Sequence, residues 1–595
     1  MAETPHRVLR PEPDRVSLIL RYLRAYRQDF LLGFLCLVAT NGLTLCIPWL
    51  LKDAIDALGR GGPPRRVAYD ALAILVTAAI LAAIRIRSRL HILGASRRIV
   101  YDIRNELYAH LLTLPASFYA RRRTGEIMSR AVNDLMLIRS LFGPGMLSVM
   151  NVALMYSAAL PLMAKIDPGL TLVAVLPYPL LLAGVFRVSR RIHQRSNAAQ
   201  EQLAELSNKA QETLSGINMV KAFVREEGEA GLFGGLSREY RRSSLLLARS
   251  RGLILTLMRG LGGVSTLAAL WLGGRHVIAG TLTKGGLVAF LSYLALLADP
   301  TVMMGWVLGV FQRGLGAIRR LEEMQAIRSD LPGDRVQGAG PVLRGSIAFR
   351  GLDFSYPGGG DETRPVLSGV TLEIPAGSTV GLVGRVGSGK STLVQLVAAV
   401  YPVPDGTVLI DGHDLNVIPT GHLRAHVAVV PQETFLFSKT IAENIALGAP
   451  AATRQRIEEA AQVAQITRDL PDLPRGLDTL VGERGVTLSG GQRQRVALAR
   501  ALLLDPRILI LDDALSSIDA DTEEAILAGL RGIMRQRTTL LVSHRVSTVL
   551  AADRIVVLED GRVAESGTAV ELLARNGPFA RMHRQQQIEK ELEAL

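Results

Sequence analysis

Gly384-Arg385-Val386-Gly387-Ser388-Gly389-Lys390-Ser391-Thr392 follows directly on Ser378-Thr-Val-Gly-Leu-Val383, an apolar run that reads as a buried strand. A glycine-rich loop between a strand and a helix turns its backbone N–H groups on an anion, and the helix adds the positive end of its dipole. With this spacing Lys390 reaches the β- and γ-phosphates of a nucleoside triphosphate, and the Ser391 hydroxyl is placed to hold Mg2+. A second apolar strand, Arg507-Ile-Leu-Ile-Leu-Asp512, ends in the carboxylate that such a loop needs to order the metal's water shell. The expectation is an α/β nucleotide-binding domain over 346–580 that takes ATP and Mg2+, with a helical tail over 581–595.

Upstream of a polar, Gly/Pro-bearing linker at 331–345 the pattern is different. Six apolar runs have about the 20 residues that a membrane-crossing helix needs: Phe30–Leu51, Tyr69–Ile86, Met146–Ile166, Leu170–Phe186, Leu253–Ile278 and Leu287–Phe311. Residues 1–330 are therefore read as a six-helix transmembrane domain, kinked at Pro48, Pro161, Pro177, Pro179 and Pro300. A chain of 595 residues with 48% hydrophobic composition and a mean hydropathy of +0.25 suits a membrane half fused to a soluble half.

The net charge of +14 invites a nucleic-acid partner, but the excess arginine sits beside the apolar runs. Long connections after runs two and four carry Arg87, Arg89, Arg97, Arg98, Arg104, Arg121, Arg122, Arg123 and Arg130, then Arg187, Arg190, Arg191, Arg195 and Lys209. Arg7, Arg10, Arg15, Arg21, Arg24 and Arg27 precede run one on the same side. The positive-inside rule makes that side the cytoplasm, places both termini there and leaves lipid headgroups, not nucleic acid, as the partner. Lys52, Arg60, Arg65 and Arg66 in the first short loop run against the rule. Ser17–Arg27 reads as an amphipathic helix on the inner surface. Cys36 and Cys46 lie about 15 Å apart on one helix, too far for a disulfide.

Two charges inside the runs are informative. Arg259 is close enough to the start of run five to snorkel to the inner interface, whereas Asp299 sits mid-run beside Pro300. Either Asp299 belongs to a structural ion pair or it faces a cavity, where it would favour cationic or zwitterionic amphiphiles over anionic ones.

Between the two nucleotide-domain strands lies Leu488-Ser489-Gly490-Gly491-Gln492-Arg-Gln-Arg495, a helix start rich in anion-binding groups. Here the chain resembles the ATP-binding-cassette (ABC) transporters, whose signature segment this matches. The resemblance implies that 488–492 cap the γ-phosphate of an ATP held by an opposing subunit. Tyr356 in Phe354-Ser-Tyr-Pro is similar to the family's adenine-stacking aromatic, and Gln432 in Val430-Pro-Gln to its metal-contacting glutamine. Ser517-Ile-Asp519 resembles the segment that crosses between nucleotide domains, and His544 in Leu541-Val-Ser-His the histidine on the γ-phosphate. Leu114-Pro-Ala-Ser-Phe-Tyr119 with Arg123–Arg130, and Glu212–Ile217 with Val220–Glu226, resemble the coupling regions of half-size exporters.

One position departs from the pattern. The family's attacking-water base is a glutamate after the second strand, and here it is Asp513. Its carboxylate is drawn back by one methylene, about 1.5 Å. Either a slight closure restores catalysis, or the chain keeps a slow site of its own while its intact signature completes a partner's fast one. The Asp512-Asp-Ala-Leu-Ser516 run resembles the weak-base, MdlA-like subunits of bacterial heterodimeric multidrug exporters, and Asp299-Pro300 departs from that group's pattern. The reading implied is half of a heterodimeric, ATP-driven exporter of amphipathic compounds in the cytoplasmic membrane. A nucleotide-gated regulatory subunit, or an importer or lipid flippase on the same scaffold, are the alternatives.

Overall fold

In this computed structural model the described residues are 18–593, apart from Gly62, Arg123, Gln337, 357–364, Glu483, Arg484, Val486 and Thr487. Side chains at 18, 64, 179–191, 193, 254, 255, 257–259, 261, 302, 520, 590 and 593 are also outside the description. Arg7, Arg10, Arg15 and Arg123 therefore lie outside it, as do the side chains of Pro179, Arg187, Arg190, Arg191 and Arg259. The chain divides into two compact units, Met1–His110 with Gly125–Ala326, and Leu111–Thr124 with Ile327–Leu595.

The first unit is helical: α1 (Leu18–Ala25), α2 (Arg27–Gly59), α3 (Pro64–Leu112), α5 (Thr124–Ser129), α6 (Leu135–Ser140), α7 (Met146–Ile166), α8 (Pro168–Val175), α9 (Pro177–Ser215), α10 (Ile217–Ala222), α11 (Glu226–Ile278) and α12 (Lys284–Gln325). Helix α4 (Ala116–Arg121) belongs to the second unit. Among the described residues, Arg27–Gly59, Arg65–Leu112, Thr124–Ile166 and Lys284–Gln325 are long and apolar enough to cross a membrane. The other two expected runs lie on α8–α9 and on α11, and the chain breaks helix between α8 and α9 at Leu176, just before Pro177. Two wide π-type turns, Arg130–Asp134 and Leu141–Gly145, interrupt the span Thr124–Ile166. Pro144, inside the second, cannot supply its N–H to a regular helix.

A buried cluster that includes Leu45, Met155, Ala159, Leu170, Phe290, Tyr293 and Leu297 ties α2, α7, α8 and α12 together. Tyr293 donates its buried hydroxyl to the Leu45 carbonyl at 2.8 Å. Nearer the ends, Arg320 grips Asp134 with two hydrogen bonds of 2.5 and 3.0 Å, and Lys209 of α9 meets Glu229 of α11 at 2.8 Å. Helix α1, the expected amphipathic segment, turns one face to the protein. Its Tyr22 is wholly buried, Arg21 pairs with Glu106, and Tyr26 donates to Asp102, so α1 packs on α3.

Among its described residues the second unit carries ten strands: β1 (Ile347–Phe354), β2 (Leu367–Ile374), β3 (Thr379–Gly384), β4 (Val408–Ile410), β5 (His413–Asp414), β6 (Val427–Val430), β7 (Ile508–Asp512), β8 (Thr538–Val542), β9 (Arg554–Glu559) and β10 (Arg562–Gly567). Its helices are α13 (Lys390–Val397), α14 (Thr420–His426), α15 (Ile441–Ile445), α16 (Arg454–Val463), α17 (Gly490–Leu503), α18 (Ala520–Met534), α19 (Val546–Val549), α20 (Ala569–Ala574) and α21 (Pro578–Glu593). An antiparallel sheet runs β2-β1-β4-β5, and a second runs β10-β9-β3-β8-β7-β6. From β9 to β6 the neighbours are parallel. Every residue of β3, β7 and β8 is buried, which is why these strands read as continuous apolar runs without alternation.

The stretch 331–345 packs on this unit: Leu331 and Leu343 are buried, and the Pro341 carbonyl meets His422 at 2.8 Å. Asp411 secures its end. Asp411 and Gly412 turn β4 into β5 with φ of +51° and +78°, a two-residue hairpin that aspartate and glycine tolerate. The Asp411 carboxylate accepts the N–H groups of Arg344, Gly345 and Ser346 at 2.6, 2.9 and 2.8 Å. Burial opposes its charge, but these amides outweigh burial and hold its carboxyl below the usual carboxylate range. The stabilisation is then complete above the ordinary pKa of about 4 and is lost as pH falls through the lower folded value. Asp411→Ala is expected to lower stability by about 2 kcal/mol at pH 7. The gap between the thermal midpoints of the two proteins should narrow as pH falls below about 4; a gap independent of pH would remove the carboxylate from the account.

Candidate nucleotide-binding site

Strand order builds the site. Because β3, β8, β7 and β6 are neighbours in that order, four loops at their carboxyl ends stand in one row. They carry Gly384–Thr392, His544, Asp512 with Asp513, and Gln432. Carboxyl ends of parallel strands are where α/β sheets bind ligands.

The loop after β3 cannot be built from other residues. Gly384, Gly387 and Gly389 have φ of +156°, +84° and +95°, and a Cβ on Gly384 would stand 2.2 Å from the Leu558 carbonyl. Arg385, Val386 and Gly387 are exposed at its tip, whereas Ser388, Gly389, Lys390 and Thr392 are buried. The Lys390 ammonium donates to the carbonyls of Gly384 and Arg385, both at 2.9 Å. Burial pulls its pKa down, against the attraction of Asp513 and Asp512. Ser391 Oγ donates to Asp512 Oδ1 at 2.9 Å. Burial pushes the Asp512 carboxyl above its usual range, although the Ser391 bond and Lys390 pull the other way. A hydroxyl and a carboxylate side by side form a hard-oxygen donor set that fits Mg2+.

Asp513 continues the strand hydrogen bonding with its N–H on the Val542 carbonyl at 3.0 Å, then turns with φ of +46°. That turn aims its side chain at the loop after β8. Asp513 Oδ1 accepts from the His544 backbone N–H at 3.2 Å and from His544 Nδ1 at 2.9 Å. Gln432 lies exposed two residues past β6, one strand over from Asp512. Tyr356 joins its hydroxyl to Thr392 Oγ1 at 2.8 Å and stands edge-on to Tyr401, with ring centroids 5.2 Å apart.

Leu488-Ser-Gly-Gly-Gln492 belongs to another part of the unit. Helix α17 packs in the core that holds α15, α16 and α18, whereas α13 packs in the core with β1 and β2. Ser489 caps α17: its Oγ accepts the Gln492 N–H at 3.2 Å, and Gln492 Oε1 accepts the Ser489 N–H at 2.9 Å. Leu488 is buried beneath the cap, and Gly490 and Gly491 lie against Ser517.

Three contributors escaped sequence reasoning. Buried Gln494 accepts the Ser517 N–H at 3.0 Å and donates to Ser516 Oγ at 3.2 Å, joining α17 to the 516–519 segment, whose Asp519 caps α18. Gln586, in the expected tail, donates to the His544 carbonyl at 2.6 Å and accepts the Val546 N–H at 2.8 Å. Tyr401 backs Tyr356. None has a local signature, because each acts through partners 22 to 45 residues away.

Comparison with known proteins agrees with this geometry. The model of the ABC transporter transmembrane region matches residues 30–301, and the ABC transporter model matches 367–516. A Bacillus subtilis (strain 168) protein named "Probable multidrug resistance ABC transporter ATP-binding/permease protein" is 34% identical over 95% of this chain and 97% of its own. An ATP-dependent lipid A-core flippase of Nitrosococcus oceani is 34% identical over 96% of this chain and 94% of its own. The structure of a bacterial Atm1-family ABC exporter with ATP bound superposes with a TM-score of 0.78 at 28% identity, covering 96% of this chain and 99% of that one. A multi-pass helical domain followed by an ATP-binding α/β domain, matched over nearly its whole length, makes this chain a member of the ABC transporter family, of the exporter type.

Proposed function

We propose that the chain is one half of a heterodimeric ABC exporter of amphipathic compounds in the cytoplasmic membrane, with a slow ATP site on its own phosphate loop. Both termini and the nucleotide-binding domain face the cytoplasm in this reading. The partner is a second half-transporter with a glutamate at the base position. Names of relatives span multidrug resistance and lipid flipping, and an amphiphile is the chemistry those cargoes share.

The observation that carries the proposal is Asp513 at the base position beside a fully formed signature cap. In the phosphate loop the backbone amides and Lys390 bind the triphosphate, and Tyr356 with Tyr401 offers an aromatic face for adenine. Mg2+, held by Ser391, Asp512 and Gln432, supplies charge neutralisation at the β- and γ-phosphates. With Nδ1 bonded to Asp513, His544 keeps Nε2 for the γ-phosphate. Asp513 must then orient the attacking water with a side chain one methylene short and one oxygen already occupied twice by His544. Elsewhere in the unit, Ser489 and the α17 amides cap a phosphate that the partner holds.

The test compares steady-state ATPase of the purified chain alone with that of the co-expressed pair. The chain alone is expected to run at least tenfold slower, since a misplacement near 1 Å costs about 100-fold. Equal turnover by the chain alone would overturn the slow-site reading.

A further inference from the structure

A cavity of about 390 Å3 opens within the first unit between α2, α3, α7 and α12. Its wall on α2 runs from Leu37 to Thr44, about 10–21 Å along the helix from Phe30, where the apolar run begins. Asp299 lines it, as a cavity-facing role requires. Arg85 and Arg89 line it too, one turn apart on the same face of α3.

Most neutral polar groups of the wall already have partners. Asn41 donates to the Leu37 carbonyl and to Asn151 Oδ1, at 3.0 and 3.1 Å, and Ser88 donates to the Gly33 carbonyl at 2.9 Å. The three charges do not. Among the described residues, no hydrogen bond or ion pair engages Arg85, Arg89 or Asp299, although opposite signs line one cavity. Arg85 and Asp299 fall inside apolar runs and Arg89 lies one turn beyond, and charges left there without a protein partner mark a wet cavity or a ligand site. A lone cation would gain Asp299 but face two guanidinia, which argues for the zwitterionic over the cationic half of the preference that Asp299 alone suggests. A lone anion would gain both guanidinia and leave Asp299 unmatched.

We propose that this cavity binds the head group of a zwitterionic amphiphile, with its phosphate or carboxylate between Arg85 and Arg89 and its ammonium at Asp299. Two guanidinium forks suit either anion, and the apolar side chains of the same wall take the tail. The proposal rests on the exporter reading for its meaning as a cargo site, but the binding itself does not.

The test uses the nucleotide-free full-length chain in dodecylmaltoside and a fluorescent lysophosphatidylethanolamine, displaced by four competitors. These are lysophosphatidylethanolamine, palmitoylcarnitine, dodecyl phosphate and dodecyltrimethylammonium. At least one zwitterion is expected to bind tightest, then the anion, then the cation; which zwitterion leads identifies phosphate or carboxylate as the anion. Arg85→Gln with Arg89→Gln should weaken zwitterion and anion by about tenfold to a hundredfold. That pair of changes should leave the cation no weaker. Asp299→Asn should weaken the zwitterions and the cation but not the anion, and Arg85→Lys with Arg89→Lys, which keeps both charges, should preserve the order. A cation that binds tightest, or variants that shift all four competitors equally, would overturn the proposal. If the order holds but loaded vesicles show no ATP-dependent transport, the exporter reading fails and this site stands.

Discussion

Ser489→Arg is expected to cut the ATPase of the co-expressed pair by about 100- to 1000-fold, the scale of losing one preorganised donor to a transferring group. The serine hydroxyl and the α17 amides form an anion cap, and arginine there removes the hydroxyl and sets a cation on the positive end of the helix dipole. Loss of the cap itself costs only about 1 kcal/mol of stability. A thermal midpoint near that of the parent would show that the domain remains folded. Asp513→Ala in the same pair should change turnover less than threefold, because it touches a site that is already slow. Equal losses from the two variants, or the reverse order, would place the fast chemistry on this chain's own loop.

The second large effect runs the other way. Asp513→Glu restores the missing methylene, about 1.5 Å of reach, and should raise ATPase of the chain alone by up to about 100-fold. The gain comes with a cost. The residue sits at φ +46°, where aspartate is better tolerated than longer side chains, so the variant should melt slightly earlier. An Asp513→Glu chain that stays as slow as the parent would mean that the base is not what limits turnover.

The candidate nucleotide site was legible wherever its residues are consecutive. The glycines of 384–389 are forced by backbone geometry, the β7 carboxylate by its place at the end of a buried strand, and the α17 cap by Ser489 and Gln492 three positions apart. What could not be read is what only packing brings together. The tail reads as an appendage, yet Gln586 holds the His544 loop from both sides. In the membrane half the charge rule assigns Arg89 to a cytoplasmic flank and gives Arg85 no role, because hydropathy counts charges along the chain without seeing which helix face they share. Asp299 stood out in the sequence for being alone in its run. Its meaning changed once two arginines stood in the same cavity.

The short stretch Leu111–Thr124 has a consequence for how the protein is made. It belongs to the nucleotide unit, with Leu114 and Phe118 buried and Ser117 donating to Asp330 at 2.8 Å, yet roughly 200 residues of membrane helix separate it from the rest of that unit. At about 5–20 residues per second on the ribosome, this piece is finished some 10–40 s before the chain it packs against begins to emerge. For that interval the apolar side chains of this stretch have no native partner, and the unit is complete only after the intervening residues 125–326 have been made. A nascent chain stalled before Ile327 is therefore the species in which a chaperone should be found on Leu114 and Phe118, and an excised fragment beginning at Ile327 would fold with that seat empty.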